Sequence, residues 1–125
     1  MGIFLLSLGN LNNLIHFRFQ RNELNGTISF QLGNLSQLID LDLRFNSLSA
    51  TIPSTFGNLS SLDDLDLSYN SLTGKIPSEL GYLNNLAYFR LNNNTLDVEI
   101  PEELMNFYPH EMRQLVGFDK ADLFN

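Results

Sequence analysis

The feature that most constrains this chain is a 24-residue repeat. The phrase LGNLNNL at residues 8–14 returns as LGNLSQL at 32–38, FGNLSSL at 56–62 and LGYLNNL at 80–86. Every copy keeps one apolar frame, which in the third copy consists of Leu59, Leu62, Leu65, Leu67, Leu72 and Ile76. Four copies without a gap indicate a fold that itself repeats with the same period.

The spacing of the apolar residues changes within each copy. Leu65-x-Leu67 alternates with a period of two, which predicts a short strand. Leu59-x-x-Leu62 has a spacing of three, which predicts a tight helical turn or an irregular arc. One copy cannot bury its own leucines, but stacked copies can. The sequence therefore predicts an α/β solenoid with parallel strands and one coil per repeat.

One asparagine recurs after the strand of every copy, at Asn22, Asn46, Asn70 and Asn94. The chain must turn sharply there, which leaves backbone N–H and C=O groups inside the coil without ladder partners. An amide side chain offers two donors and one acceptor for such groups. The recurrence predicts a buried asparagine ladder along the solenoid. The alternative is an exposed turn asparagine.

The repeat divides the chain into one predicted domain with a partial repeat at 1–7 and full repeats at 8–31, 32–55, 56–79 and 80–103. Residues 104–125 form a degenerate C-terminal repeat or cap. Two acids after Pro101 predict a helix start, and Pro109 is expected to break that helix. Beyond it, Glu111 to Leu115 are a candidate second turn. An improvised cap and a frayed terminus both remain open for Phe107, Met112, Leu115 and Phe118.

The segment LDLSYNSLTGKIPSELGYLNNL resembles the plant-type leucine-rich repeat, with its pattern LxxLxxLxLxxNxLxGxIPxxLGx. The resemblance covers about residues 8–103, and three Ile-Pro pairs carry the subclass signature. It implies a right-handed curved solenoid with a concave parallel sheet and short helical or irregular turns on the convex side. It also implies a recognition module of the receptor-like kinase, receptor-like protein or polygalacturonase-inhibitor type. Such modules recognise peptides, proteins or small hormones outside the cell, and a parent receptor would carry the membrane and signalling parts.

The chain departs from the family pattern at several positions. The family glycine is present as Gly26 and Gly74, but Ala50 and Val98 stand at the equivalent positions. Because a β-branched residue rarely takes positive φ, we expect an extended backbone with little side-chain room there. Paired-cysteine caps are absent, and the N-terminal MGIFLLS aligns with the middle of a repeat. We therefore expect a fragment, or a very short protein, rather than a capped module.

The concave face of such a coil is formed by the residues that flank the strand leucines. Residues at equivalent positions of successive repeats form four columns across the face. The first column is His16, Asp40, Asp64 and Tyr88, and the second is Arg18, Asp42, Asp66 and Arg90. The third is Gln20, Arg44, Ser68 and Asn92, and the fourth is Arg21, Phe45, Tyr69 and Asn93. The candidate ligand-binding residues are His16, Arg18, Asp40, Asp42, Arg44, Phe45, Asp64, Asp66, Tyr69, Tyr88 and Arg90. A basic or hydroxyl-rich ligand would fit the aspartates and rings. The alternative is a solvated charged sheet.

Charge on this face is predicted from the columns. Arg18 and Arg90 flank the second-column aspartates and predict a self-neutralising ladder. The first column has His16 as its one cation, so Asp40 and Asp64 are expected to have raised pKa values. Two carboxylates about 5 Å apart are also a glycosidase geometry, but an open sheet excludes no water, so we expect no enzyme. A metal held by four carboxylates is equally disfavoured, and no cofactor or metal is predicted.

Net charge and size bound the partners. A net charge of −7 argues against nucleic acid. No apolar run reaches the length of a membrane span, which leaves membrane attachment to a parent chain. Four strands about 4.8 Å apart and about 17 Å long present about 300 Å². A standard interface buries about 800 Å² per partner. We expect additional repeats, weak binding, or self-association through the uncapped apolar ends.

Four N-x-[S/T] sequons, at Asn25, Asn34, Asn58 and Asn93, are candidate glycosylation sites of a secreted or cell-surface protein. Asn34 and Asn58 fall away from the concave strands, whereas Asn93 falls at their margin. The Asn-Leu-Ser phrase is also part of the repeat itself, so the sequons alone do not establish modification. The competing functional interpretation is an intracellular scaffold repeat protein with no specific small ligand.

Overall fold

In the computed structural model, which describes residues 11–97 and 99–107, the repeats stack as a leucine-rich solenoid and confirm the predicted fold class. One strand per coil builds a four-stranded parallel sheet, here called the concave sheet. Its strands are β1 (His16–Arg18), β3 (Asp40–Asp42), β5 (Asp64–Asp66) and β7 (Tyr88–Arg90). Their register follows the repeat, since His16 lies opposite Asp40, and Asp40 opposite Asp64.

A second parallel sheet, which the apolar pattern did not predict, follows the concave sheet in every coil. Its strands are β2 (Asn25–Thr27), β4 (Ser47–Ala50), β6 (Ser71–Gly74) and β8 (Thr95–Leu96). Asn25 lies opposite Ser47, whereas the repeat would place it opposite Ser49, so this register is offset from the period. These strands are polar and short, with little apolar alternation to reveal them.

Short helices close each coil on the side away from the concave sheet. They are the 3₁₀ helices η1 (Phe30–Asn34), η2 (Ser54–Asn58) and η3 (Ser78–Tyr82), followed by the α-helix α1 (Glu102–Phe107). Pro53 and Pro77 precede η2 and η3 in extended conformation. Ser29 stands at the same point before η1, and its hydroxyl accepts a hydrogen bond from the Gln31 N–H at 3.2 Å. A serine cap thus replaces the proline.

Helix α1 confirms the predicted helix start after Pro101. The expected break at Pro109, the second turn at 111–115 and the cap residues Met112, Leu115 and Phe118 lie outside the described residues. The same is true of the apolar N-terminal stretch and its expected self-association.

The core is a continuous column of the frame leucines and isoleucines, joined by Phe17, Phe56 and Phe89. Glycines in the 3₁₀ helices allow neighbouring coils to approach each other closely. A Cβ on Gly33 would lie 2.5 Å from the Thr55 carbonyl oxygen, and a Cβ on Gly57 would lie 2.7 Å from that of Glu79. The glycine of the repeated Gly-Asn pair therefore lets successive 3₁₀ helices stack in contact.

The expectation of an extended backbone at the family glycine position is wrong. Gly26 and Gly74 have φ of 80° and 79°, and Ala50 has φ of 62°. The chain turns there from the second sheet toward the next 3₁₀ helix, and the turn uses the left-handed conformation even where alanine occupies it. The expectation of little room holds at Gly74, where a Cβ would lie 2.8 Å from Thr51 Cγ2.

Candidate functional site

Successive side chains of the three-residue strands in the concave sheet point alternately toward the face of the sheet and into the core. The central residues Phe17, Leu41, Leu65 and Phe89 are buried in the core. The residues on either side therefore point away from the core, onto the face of the sheet. Every coil thus presents two strand side chains and the turn residues that follow them, on a backbone frame that repeats.

The first end of the face holds a closed cluster around Asp40. Arg18 Nη2 donates to Asp40 Oδ2 at 2.7 Å, and His16 Nδ1 contacts the same oxygen. Partial burial alone would raise the pKa of Asp40, but the hydrogen bonds from Arg18 and His16 outweigh burial and lower it. The expectation of a raised pKa at Asp40 is therefore wrong, because Arg18 reaches the first column from the second.

Asp64, the next residue of the same column, has a different environment. Partial burial, reinforced by the negative charge of Asp40, raises the pKa of Asp64 as expected. Its Oδ1 atom is buried and has no hydrogen-bond partner among the described residues. Tyr88 lies directly opposite in register, with 45% of its surface exposed. Asp64 is therefore a carboxylate beside an exposed ring, with one oxygen unsatisfied by the described residues.

The centre of the face is a neutralised network around Asp66. This buried carboxylate accepts hydrogen bonds from the backbone N–H and hydroxyl of Ser68. Arg44 Nη1 and Arg90 Nη1 lie 3.6 Å and 3.5 Å from its Oδ2 atom. Arg90 thus pairs with a second-column aspartate, as predicted.

The partner of Asp42 differs from the prediction. Arg18 turns to Asp40, and Arg44 lies 3.3 Å from Asp42 Oδ2 through Nε, as an ion pair without hydrogen-bond geometry. Burial raises the pKa of Asp42, partly offset by the backbone hydrogen bond and charge of Arg44. The positive charge that neutralises Asp42 therefore comes from Arg44 in the third column. The sequence pattern had predicted only second-column arginines for this role.

The far margin of the face carries a stack of side chains from successive coils. The guanidinium carbon of Arg21 lies 4.3 Å from the Phe45 ring centroid, and the Phe45 and Tyr69 rings stack with centroids 4.2 Å apart. All three residues, and Asn93 at the fourth position, have φ between 57° and 60°. Arg21 was absent from the candidate residues, although its column shared with Phe45 was the available signal.

The recurring asparagines bond to backbone groups, but they are not equally buried. Asn94 is buried, Asn46 and Asn70 are half-buried, and Asn22 is exposed, so the prediction of a buried ladder is wrong at Asn22. Asn70 Nδ2 donates to the carbonyls of Leu43, Leu67 and Ser68, and Asn70 Oδ1 accepts from the Leu48 N–H at 3.0 Å. Asn46 makes the same bonds one coil earlier, and Asn94 one coil later. Asn22 donates to Phe19 and Gln20 within its own coil. These hydrogen bonds fix the turn that positions the stack of Arg21, Phe45 and Tyr69, here called the stacked margin.

The sequons lie in different places. Asn34 and Asn58 are exposed at the last positions of η1 and η2, and Asn25 is exposed on β2. Asn93 is partly buried at the concave margin. Within the described part of the chain, no group of three or more histidine, cysteine or acidic residues is arranged to hold a metal ion. Nor does that part contain a helix long and apolar enough to cross a membrane.

Comparison with protein families matches residues 36–96 to the family described as leucine rich repeat. A comparison with curated proteins gave no match. Among solved structures, the chain is similar to PEPR1 in its complex with AtPEP1, with 36% identity and a TM-score of 0.77 over 78% of this chain and 14% of that one.

The ectodomain of the Arabidopsis receptor kinase HAESA, solved with an N-terminally extended IDA peptide hormone, is 35% identical with a TM-score of 0.77, over 82% of this chain and 17% of that one. A plant ice-binding protein is 38% identical with a TM-score of 0.73, over 81% and 33%. The chain spans less than a fifth of either receptor ectodomain. Comparable likeness to receptors and an ice-binding protein means that the fold alone does not name a ligand.

Proposed function

Because the chain is a leucine-rich-repeat protein of the plant type, we propose that it is a recognition module that binds a peptide or protein segment through the concave sheet. This module would belong to the receptor-like or inhibitor class of ectodomains, outside the cell or at its surface. It would act by binding rather than by catalysis, since an open sheet excludes no water from a reacting group.

The observation that carries this proposal is that the buried positions of each coil are nearly constant, whereas the outward positions of the concave sheet vary from coil to coil. The buried frame is nearly the same in each coil, whereas the outward positions change from His16 through Asp40 and Asp64 to Tyr88. A scaffold with only broad contacts would not need such a varied face on one constant backbone. The exposed rings Tyr69 and Tyr88 are the residue type that contributes most at binding surfaces.

The similar structures support a peptide as the partner. PEPR1 was solved with AtPEP1, and the HAESA ectodomain with a peptide hormone. A sheet of four strands with three residues each presents about 200 Å², which suits a peptide segment better than a globular partner that buries about 800 Å² per side. Exposed Asn25, Asn34 and Asn58 would leave this face open if they carried glycans.

Selection of random displayed peptides on the purified chain tests the proposal. Selected peptides should bind Tyr88→Ala about tenfold more weakly than the original chain. They should bind Tyr82→Ala equally well, because Tyr82 ends η3 on the opposite side and is 70% exposed. Equal binding to both variants, or recovery of no peptide, would contradict concave recognition and favour the scaffold interpretation.

A further inference from the structure

Two binding features of the concave sheet fall on the third and fourth coils, residues 56–79 and 80–103. One is the carboxylate of Asp64 beside Tyr88. The other is the end of the stacked margin at Tyr69, beside Asn93. Asp64 begins strand β5, and Tyr69 lies in the turn that follows this strand, so the two features mark the two ends of one segment on the concave face.

The carboxylate end is suited to a cation. The arginines of the face are all engaged elsewhere: Arg18 with Asp40, Arg21 with Phe45, and Arg44 and Arg90 with Asp66. Asp64 has no ion-pair partner among the described residues, and its Oδ1 atom is unsatisfied there. A guanidinium or ammonium that approached the exposed part of this half-buried side chain would neutralise the carboxylate, and the adjacent Tyr88 ring would cover its methylene stem. The net charge of −7 acts in the same direction.

The ring end is an interrupted stack. Arg21 covers Phe45 on one face, and Tyr69 covers it on the other. The next coil supplies Asn93 instead of a ring, so the stack of side chains ends at Tyr69, which is 43% exposed. A planar ring from a partner would extend the stack over Asn93 and gain the packing that Phe45 and Tyr69 have with each other.

The distance between the two ends fixes the spacing in the partner. Tyr69 follows Asp64 by five positions, through β5 and the start of the turn after it, so the two lie at most roughly 17 Å apart at about 3.3 Å per residue. An extended peptide along the same path has the same rise per residue. Between the ends, the half-buried Asn92 offers a polar group from the third column, and the Asp66 network, which includes the buried Ser68, is already neutral.

We infer that the concave sheet takes an extended peptide with a cationic side chain at Asp64 and Tyr88 and a ring side chain over Tyr69, about five residues apart. This inference rests on the proposed function and adds the chemistry of the ligand. The order of the two side chains in the partner is left to the experiment, because a peptide can lie along the strand in either direction.

The probe is a short peptide of glycine and serine that carries arginine and tryptophan about five residues apart, made in both orders. The chain contains no tryptophan, so the fluorescence of the probe reports binding directly. One order should bind. Replacing its arginine with glutamate, or moving its tryptophan to about two residues from the arginine, should weaken binding about tenfold.

Variants of the protein locate the two contacts. Asp64→Asn should weaken binding of the arginine probe about tenfold but should not weaken binding of the glutamate probe, because it removes an attraction from the first and a repulsion from the second. Tyr69→Ala should weaken tryptophan probes several-fold. The matched controls are Asp97→Asn, an exposed acid after β8, and Tyr82→Ala, and both should bind as the original chain does. Circular dichroism of each variant checks that the solenoid is intact.

The outcomes separate the inference from the function on which it rests. If neither order of the probe binds, or if Asp64→Asn and Tyr69→Ala match their controls, the inference is overturned. Peptides selected from a random library that need Tyr88 but carry no cation and no ring would overturn the inference while supporting concave recognition. Failure of every selected peptide to depend on the concave face would overturn both.

Discussion

Replacing Asn70 with alanine tests whether the asparagine ladder holds the solenoid together. The three carbonyls that Asn70 bonds each keep a second donor. Asn46 Nδ2 still reaches Leu43 O, Asn94 Nδ2 still reaches Leu67 O, and the Phe45 N–H still reaches Ser68 O. The Leu48 N–H, in contrast, loses its acceptor Asn70 Oδ1. The main consequence of the substitution is therefore one orphaned N–H group on a buried residue.

The cost follows from that difference. A buried donor without a partner costs about 1–3 kcal/mol, and the lost bonds to the three carbonyls add about 1 kcal/mol. The expected loss is about 2–4 kcal/mol, a large part of the roughly 5–15 kcal/mol that stabilises a domain. In urea, with a slope of about 2 kcal/mol per molar, this lowers the midpoint by about 1–2 M.

The matched control is Asn85→Ala. Asn85 is exposed and donates one hydrogen bond across coils, to the Ser60 carbonyl at 3.1 Å. Its loss should cost less than about 1 kcal/mol. Urea unfolding followed by far-ultraviolet circular dichroism compares the two variants at equal slope. If Asn70→Ala loses no more stability than Asn85→Ala, the ladder does not carry the energy assigned to it.

Three further predictions concern close packing, backbone strain and charge. Gly57→Ala should lower the free energy of unfolding by about 1–3 kcal/mol, because its Cβ would lie 2.7 Å from the Glu79 carbonyl oxygen. Ala50→Gly should instead raise Tm, since φ of 62° costs alanine about 1–2 kcal/mol and suits glycine; an unchanged or lower Tm would contradict this. Asp64→Asn should stabilise the fold at neutral pH, because a raised folded-state pKa means that the charged form is disfavoured in the native state; the gain should vanish as pH falls through that pKa. Asp40→Asn should do the opposite, with a loss that disappears below the lowered pKa of Asp40; parallel pH profiles for the two variants would refute the assignment.

Much of the fold was predictable because the repeat makes one local pattern appear four times. The apolar frame predicted the concave strands, since Leu65 and its equivalents need the same burial in every coil. The second sheet was not predictable in the same way. Its strands hold a single buried leucine or none, and their register, which pairs Asn25 with Ser47 rather than with Ser49, does not follow the repeat.

The candidate site, like the fold, was predictable from the sequence only in part. The sequence by itself determined which residues share the concave face, because the constant period of the repeat places them in columns. Only the tertiary structure decided how they pair. An arginine side chain is long enough to reach either the next strand or the next column, so periodicity cannot choose between Asp40 and Asp42 for Arg18. The choice of Asp40 leaves Arg44 to Asp42 and Asp66, and it leaves Asp64 as the face's unpaired carboxylate among the described residues.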